Sequence, residues 1–242
     1  MGIAKYLLDG YTREFTAHIV KIDDTGMSFV LDETYFYPTS GGQPNDTGTI
    51  TCSGISFKVV DVIKKDGEIW HQVDHAGLRI GDTIIATIDW DRRYILMRYH
   101  TGSHILATLI HDATGAEITG NQLYLDKARV DFSLENFDRT LMNSFEEKTN
   151  AIIAQSLPVT FRILDREEAF KIPSLVKLRK QLPESIQEIR IVDVADFDHQ
   201  ACGGTHLKNT SEIGRIEIYE LENKGKERRR IYFRILEEKK LR

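Results

Sequence analysis

Apolar and polar residues alternate with a period of two through the first part of the chain and then switch to a helical period, and that switch divides the sequence. Arg13–Ile22 and Met27–Leu31 read as strands joined by Asp23-Asp24-Thr25-Gly26. Further alternating, β-branched segments follow at Thr47–Cys52, Ile55–Ile63, Glu68–Val73 and Thr83–Ile88, with Lys65-Asp66-Gly67 as a turn signal between two of them. Six short strands separated by turns within ~90 residues predict a small antiparallel β-barrel. Only Thr39-Ser40-Gly41-Gly42-Gln43-Pro44 interrupts the series, as a loop of small residues.

At Asp89-Trp90-Asp91 the period becomes helical. Asp91 (or Asp89) can accept hydrogen bonds from the first unpaired N–H groups of a helix, and Gly115 can take the left-handed conformation that ends it. Ile95, Leu96, Tyr99, Ile105, Leu106 and Leu109 are its core-facing residues. Beyond it the pattern mixes types: a strand at Ala128–Leu134, a helix from Asp138 to Ser156 burying Leu141, Phe145, Ile152 and Ile153, and a strand at Val159–Leu164. Asp165-Arg166-Glu167-Glu168 opens a short helix with acidic residues where the helix dipole favours them. A further short helix is expected over Leu175–Leu182, ended by Pro183, then a strand at Ile189–Val194 and a hairpin of Arg215–Leu221 with Arg228–Leu236. The expected fold is α+β, with a small N-terminal antiparallel barrel over residues 1–90 and an α+β domain with an antiparallel sheet over residues 91–242.

Composition narrows the class. With 41% hydrophobic and 29% charged residues, the 242-residue chain has ordinary globular balance, and no apolar run approaches the ~20 residues of a membrane helix. The N-terminus lacks a signal-peptide core, and the two cysteines, Cys52 and Cys202, are too few for a disulfide framework, which favours the cytoplasm. Cys52 reads as a small strand-end residue. The net charge is -5, but Ala201–Arg242 carries 11 Lys/Arg against 7 Asp/Glu, or +4, leaving -9 for the rest. Lys224-Gly225-Lys226-Glu227-Arg228-Arg229-Arg230 is either a phosphate-neutralising surface or an ordinary solvated hairpin turn.

Two short motifs carry chemistry. His100-Thr101-Gly102-Ser103-His104 lies on the long helix, where positions four apart share a face about ~6 Å apart, so both imidazoles can point at one ion. Ala201-Cys202-Gly203-Gly204-Thr205-His206 supplies a second pair, and its glycines can let the backbone wrap closely around an ion. Three nitrogens and one sulfur suit tetrahedral zinc, with Zn–N near ~2.0 Å and Zn–S near ~2.3 Å. His100, His104, Cys202 and His206 are therefore the predicted metal ligands. His18, His71, His75 and His111 have no second member at ligand spacing; His199 is either a pocket group or an exposed loop residue. Gly102 inside the helix costs ~1 kcal/mol relative to alanine, which points to a close approach or a packing contact there. A peptidase is disfavoured, because Thr101, Gly102 and Ser103 offer no carboxylate base between the helical histidines. An activated ester needs less help than an amide.

These motifs, together with the upstream Phe36-Tyr37-Pro38-Thr39-Ser40-Gly41-Gly42-Gln43-Pro44-Asn45-Asp46-Thr47-Gly48, resemble the editing region of alanyl-tRNA synthetase. The chain as a whole resembles the AlaX family of free-standing alanyl-tRNA editing proteins, from about Glu14 to Leu236. The resemblance implies a trans-acting hydrolase that deacylates mischarged tRNA for alanine, with serine or glycine as the wrong amino acid. It implies Zn2+ at His100, His104, Cys202 and His206, and a substrate-binding role for Ser40, Gly41, Gly42 and Gln43; a serine stands where the family often has a third glycine. Rejecting alanine while cleaving serine is easiest if a pocket group must hydrogen-bond the serine hydroxyl, since an unpaired buried polar group penalises the analogue by ~10⁴-fold. Thr119, Asn121 and Gln122 are the candidates for that pocket, Asn121 as substrate-binding and Thr119 and Gln122, with His100 and His104, as catalytic residues; otherwise the three form a polar turn. Two other readings stand beside this one: a zinc-stabilised tRNA-binding module without catalysis, and a small-molecule zinc hydrolase or lyase. Four protein ligands suit a closed structural site, whereas catalysis wants an open position, so a ligand exchanges or the coordination expands.

Overall fold

The computed structural model describes residues 3–134, 138–172, 174–175 and 182–236. The chain forms two compact units, Met1–Leu96 and Met97–Arg242.

In the first unit, β2 (Glu14–Ile22), β3 (Ser28–Leu31), β5 (Gly48–Cys52), β6 (Ile55–Lys65), β7 (Glu68–Val73) and β8 (Thr83–Ile88) close an antiparallel barrel in the order β2-β3-β7-β6-β5-β8. Alternation works as expected: Phe15, Ala17 and Ile19 of β2 and Ile84, Ala86 and Ile88 of β8 point inward, and the residues between them face solvent. A short parallel pair, β1 (Ile3–Ala4) with β4 (Glu33–Thr34), lies outside the pattern read from sequence. Where β5 pairs with β8, a Cβ on Gly48 would sit 2.2 Å from the Thr87 carbonyl oxygen, so only glycine fits that crossing.

Helix α1 (Trp90–Thr114) starts after Asp89, whose carboxylate accepts from the Arg92 N–H at 3.2 Å; of the two expected caps, Asp89 does the work. Arg93, in its first turn, is fully buried. It donates to Asp46 Oδ1 at 2.8 Å, to Asp46 Oδ2, and to the carbonyls of Gly10 (2.8 Å) and Tyr35 (2.6 Å). Asp46 also accepts from the Tyr37 N–H, so this ion pair ties together the segment that carries the Ser40–Gln43 turn.

The second unit contains two sheets. The first runs β14-β15-β10-β9, built from β9 (Ile118–Leu123), β10 (Ala128–Phe132), β14 (Arg215–Asn223) and β15 (Arg229–Leu236). Tyr99 and Gly102 of α1 lie against Phe233 of its inner face. A Cβ on Gly102 would stand 3.5 Å from Phe233, an ordinary contact, so Gly102 marks packing and not an unusually close approach. Helix α2 (Arg139–Ala154) is capped by Asp138 and buries Met142, Phe145, Thr149 and Ile153. The buried stripe thus passes through Met142 and Thr149, while Leu141 and Ile152 are half-exposed. Asn150 and Glu146 of α2 satisfy backbone groups of Ile216 and Ile218 on edge strand β14. The second sheet orders β11 (Val159–Asp165), β12 (Glu188–Val194) and β13 (Asp198–Ala201), with the short helix α3 (Arg166–Ala169) following β11. β9 occupies the stretch with the alternative reading of a polar turn: Thr119, Asn121 and Gln122 are strand residues. The helix expected over Leu175–Leu182 falls mostly on residues 176–181, outside the described residues.

Candidate metal centre

Helix α1 presents His100 and His104 on one face, and the loop after β13 brings Cys202 and His206 to them. One ligand atom from each of the four lies within 4.8 Å of every other. Cys202 Sγ stands 3.5 Å from His100 Nε2 and 3.3 Å from His206 Nε2. The edge of a tetrahedron is about 1.6 times its bond length, so bonds of ~2.0–2.3 Å imply donor separations of roughly 3.3–3.7 Å, and these two distances fit zinc.

Outer contacts set which ring nitrogens face inward. His104 Nδ1 is 3.2 Å from Asp198 Oδ2, and Asp198 Oδ1 accepts from Thr108 Oγ1 at 2.7 Å and Gln200 Nε2 at 3.0 Å. Thr101 Oγ1 lies 3.2 Å from His206 Nδ1. With their Nδ1 atoms so engaged, both imidazoles offer Nε2 to the centre, as carboxylate–histidine pairs do at metal sites. The Gly204 N–H donates to Cys202 Sγ at 3.4 Å, and Arg190 Nη1 donates to the carbonyls of Cys202 (2.7 Å) and Gly204 (3.1 Å).

Charge follows from this packing. Burial alone would raise the Cys202 thiol, but the facing imidazoles of His100 and His206 and the hydrogen bonds from His100 and His104 hold it well below the usual range, as a thiolate ligand requires. Burial, reinforced by the neighbouring His100, lowers His206 and keeps it neutral. Burial opposes a charge on His104 too, yet its hydrogen bonds to Asp198 and Cys202 raise it, and His104 in turn lowers Asp198 against the effect of burial.

The glycines of the cysteine loop have a different role from the one expected. Gly203 is exposed with nothing within 4 Å of where its Cβ would be, while Gly204 works through its N–H and carbonyl. His199 turns to Asp193 at 2.6 Å, and the neighbouring Asp198 is the residue that reaches a ligand histidine. Sequence reasoning missed Asp198, although period-two alternation along β13 places residues 198, 200 and 202 on one face. Thr101 was legible only as a spacer. A cavity of about 750 Å³, lined among others by Thr108, His111, Glu117, Ile118, Asp198 and Gln200, adjoins the His104–Asp198 pair.

Among the described residues, no hydrogen bond joins Thr119, Asn121 or Gln122 to the four-residue cluster. Gln122 Nε2 donates to the Leu123 carbonyl at 3.3 Å, Thr119 is exposed, and Asn121 Oδ1 is buried without a partner. Ser40, Gly41, Gly42 and Gln43 belong to the first unit. They form a tight turn closed by reciprocal Ser40–Gln43 backbone bonds of 3.1 and 2.9 Å, with Gly41 and Gly42 at φ +55° and +82°, values that favour glycine. Gln43 is buried; Ser40 and Gly41 are exposed. In the basic turn, Arg230 binds Asp131 with two nitrogens (2.7 and 2.9 Å) and Lys224 pairs with Glu222 at 2.6 Å. No helix among the described residues is long and apolar enough to cross a membrane.

The closed antiparallel barrel and the α+β unit that holds the three-histidine, one-cysteine cluster each match a family of tRNA-synthetase modules. Residues 5–92 match the family described as tRNA synthetases class II (A), and residues 189–232 match the threonyl and alanyl tRNA synthetase second additional domain. Similarity extends over whole proteins: alanyl-tRNA editing protein AlaX-M of Methanosarcina barkeri is 46% identical over 98% of this chain and 100% of its own length. The AlaX-M of Saccharolobus solfataricus is 44% identical over 95% of this chain and 97% of its own. An alanine–tRNA ligase of Pyrobaculum aerophilum is 37% identical over 88% of this chain but only 25% of the ligase. The chain belongs to the AlaX family of alanyl-tRNA editing proteins.

Proposed function

We propose that this protein hydrolyses, in trans, the ester linking a wrong amino acid, serine or glycine, to tRNA for alanine, at a zinc site formed by His100, His104, Cys202 and His206. The observation that carries the reading is the convergence of these four donors, with Cys202 at separations from His100 and His206 that fit tetrahedral zinc, in a chain that matches an alanyl-tRNA editing protein over its full length. Zinc bound there supplies a Lewis acid for an ester carbonyl or a water. The protein's own groups do the rest. Asp198 and Thr101 hold His104 and His206 in the ligand tautomer, and the Gly204 N–H donates to the Cys202 sulfur. The cavity beside Asp198 has the volume of a small-ligand pocket and offers polar walls to the aminoacyl end.

Of the three pocket candidates Asn121 is favoured as the reader of a hydroxyl, because its buried Oδ1 has unfilled hydrogen-bonding capacity. Thr119 and Gln122 are kept as pocket candidates on β9, and in the first unit the Ser40–Gln43 turn is proposed by itself as a substrate-binding element. Asn121→Ala and Thr119→Val are expected to slow hydrolysis of the seryl ester more than that of the glycyl ester; equal losses, or none, would remove the residue from the pocket.

Incubating low concentrations of the full chain with mischarged Ser-tRNA for alanine tests the reading. Rapid deacylation supports an editor, binding without turnover identifies a zinc-stabilised tRNA-binding module, and neither leaves a small-molecule hydrolase. His104→Ala is expected to abolish turnover, and zinc retention with full activity in that variant refutes the ligand assignment.

A further inference from the structure

The β11-β12-β13 sheet has two unlike faces. On one, Ile189, Ile191, Leu164 and Ala201 pack with Phe170 and Leu175. On the other, Val159, Val192 and Val194 form a small cluster against which Cys202 packs. The register sets Phe161 opposite Val192 and Ile163 opposite Arg190, and the Cys202 N–H donates to the Arg190 carbonyl at 3.1 Å. Since side chains alternate along each strand, Phe161, Ile163, Arg190 and Cys202 share this second face. On its outer strand the cover ends: Phe161 is 39% exposed and Ile163 45%.

One side chain links this open edge to the metal loop. The Arg190 guanidinium lies 4.8 Å from the Phe161 ring centroid, and its Nη1 donates to the carbonyls of Cys202 and Gly204. Between those carbonyls Gly203 is exposed with open space around it, and Cys202 is the least buried of the four cluster residues. Approach to the cluster is therefore open on the same side as the aromatic edge. Strands stand ~4.8 Å apart, so the edge strand and the cysteine loop are separated by roughly 10 Å, the length scale of one nucleoside. An exposed aromatic ring beside a guanidinium is the pairing that single-stranded RNA uses, the ring stacking on a base and the cation facing the polyanion.

We propose that Phe161, backed by Arg190 and flanked by Ile163, is the platform on which the 3′-terminal base of the RNA substrate stacks while its aminoacyl ester reaches the Cys202 side of the metal centre. This rests on the deacylase reading for the identity of the substrate. The test is fluorescence polarisation of a short labelled RNA ending in CCA against the full chain, alongside deacylation kinetics and zinc content. Phe161→Ala is expected to weaken RNA binding about tenfold or more, to raise KM with little change in kcat, and to leave zinc content unaltered; Phe161→Tyr retains binding. Equal binding by wild type and Phe161→Ala, no binding of the CCA end by wild type, or dissociation of a dimer as the sole effect of Phe161→Ala each overturns the platform. The two readings fail separately. Unchanged KM in a Phe161→Ala protein that still deacylates leaves the hydrolase standing without the platform. Phe161-dependent binding by a wild-type protein that leaves the ester intact removes the hydrolase and keeps the platform.

Discussion

His71 makes the stability of the barrel unit acid-sensitive, by an amount that can be worked out. Its ring is fully buried, stacked on Phe29 at 5.4 Å and edge-on to Phe36 at 5.6 Å. Nδ1 faces the Phe29 carbonyl at 3.3 Å, which can only accept, so Nδ1 carries the proton and Nε2 accepts from Thr34 Oγ1 at 2.8 Å. Burial opposes the second proton, which would charge the ring, and lowers the pKa from 6.5 to about 4. Because the folded value is depressed, the unfolded chain binds more protons between these values; stability is complete above the unfolded pKa and is lost as pH falls toward the folded one. The full loss is about 3 kcal/mol, of which about 2 kcal/mol falls between pH 7 and pH 5. Both tryptophans, Trp70 and Trp90, lie in the same unit, so tryptophan fluorescence during urea unfolding at the two pH values reads the right transition. His71→Gln and His71→Leu are expected to lose about 2 kcal/mol less than wild type over that interval, whatever their stability at neutral pH. Equal losses in wild type and both variants would refute the reasoning.

Asp198→Asn is expected to weaken zinc binding roughly 10- to 100-fold by releasing His104, read by competition with a chromogenic chelator; wild-type affinity in the variant would show that the carboxylate does not orient the ligand. Asp46→Ala leaves Arg93 charged, buried and without its carboxylate, and is expected to cost about 3–5 kcal/mol in urea unfolding; a loss below ~1 kcal/mol contradicts the burial of the pair. Two glycines are expected to respond in opposite directions. Gly48→Ala, meeting the Thr87 carbonyl, destabilises by more than ~1 kcal/mol, and Gly102→Ala stabilises by up to ~1 kcal/mol. A shared sign in thermal melts would show that one of the two contacts is misjudged.

Much of this molecule was legible from local pattern. The six barrel strands, the long helix, the capped α2 and the terminal hairpin each have a period set by residues close together in the chain. The metal pairs are equally local: His100 and His104 share a face because a helix turns every ~3.6 residues, and Cys202 and His206 sit in one loop. Errors came where alternation was weak or a decision lay outside the segment. β9, with the sequence Ile118-Thr119-Gly120-Asn121-Gln122-Leu123, is too polar to announce itself as a strand, and it is one because β10 pairs with it. The stripe of α2 passes through Met142 and Thr149 because its partners are β14 and the turn at Thr210–Ile213, which the helix's own sequence does not name.

By itself, then, the sequence determined which residues can be ligands, since coordination chemistry depends on side-chain type and short spacing. Tertiary structure decided how those ligands are held and what lies beside them. Asp198 reaches His104, Arg93 finds Asp46, and Phe161 shares a face with Cys202 only because strands and helices distant in the chain meet in one register. Such registers are set by core packing summed over many residues, and no local period encodes them.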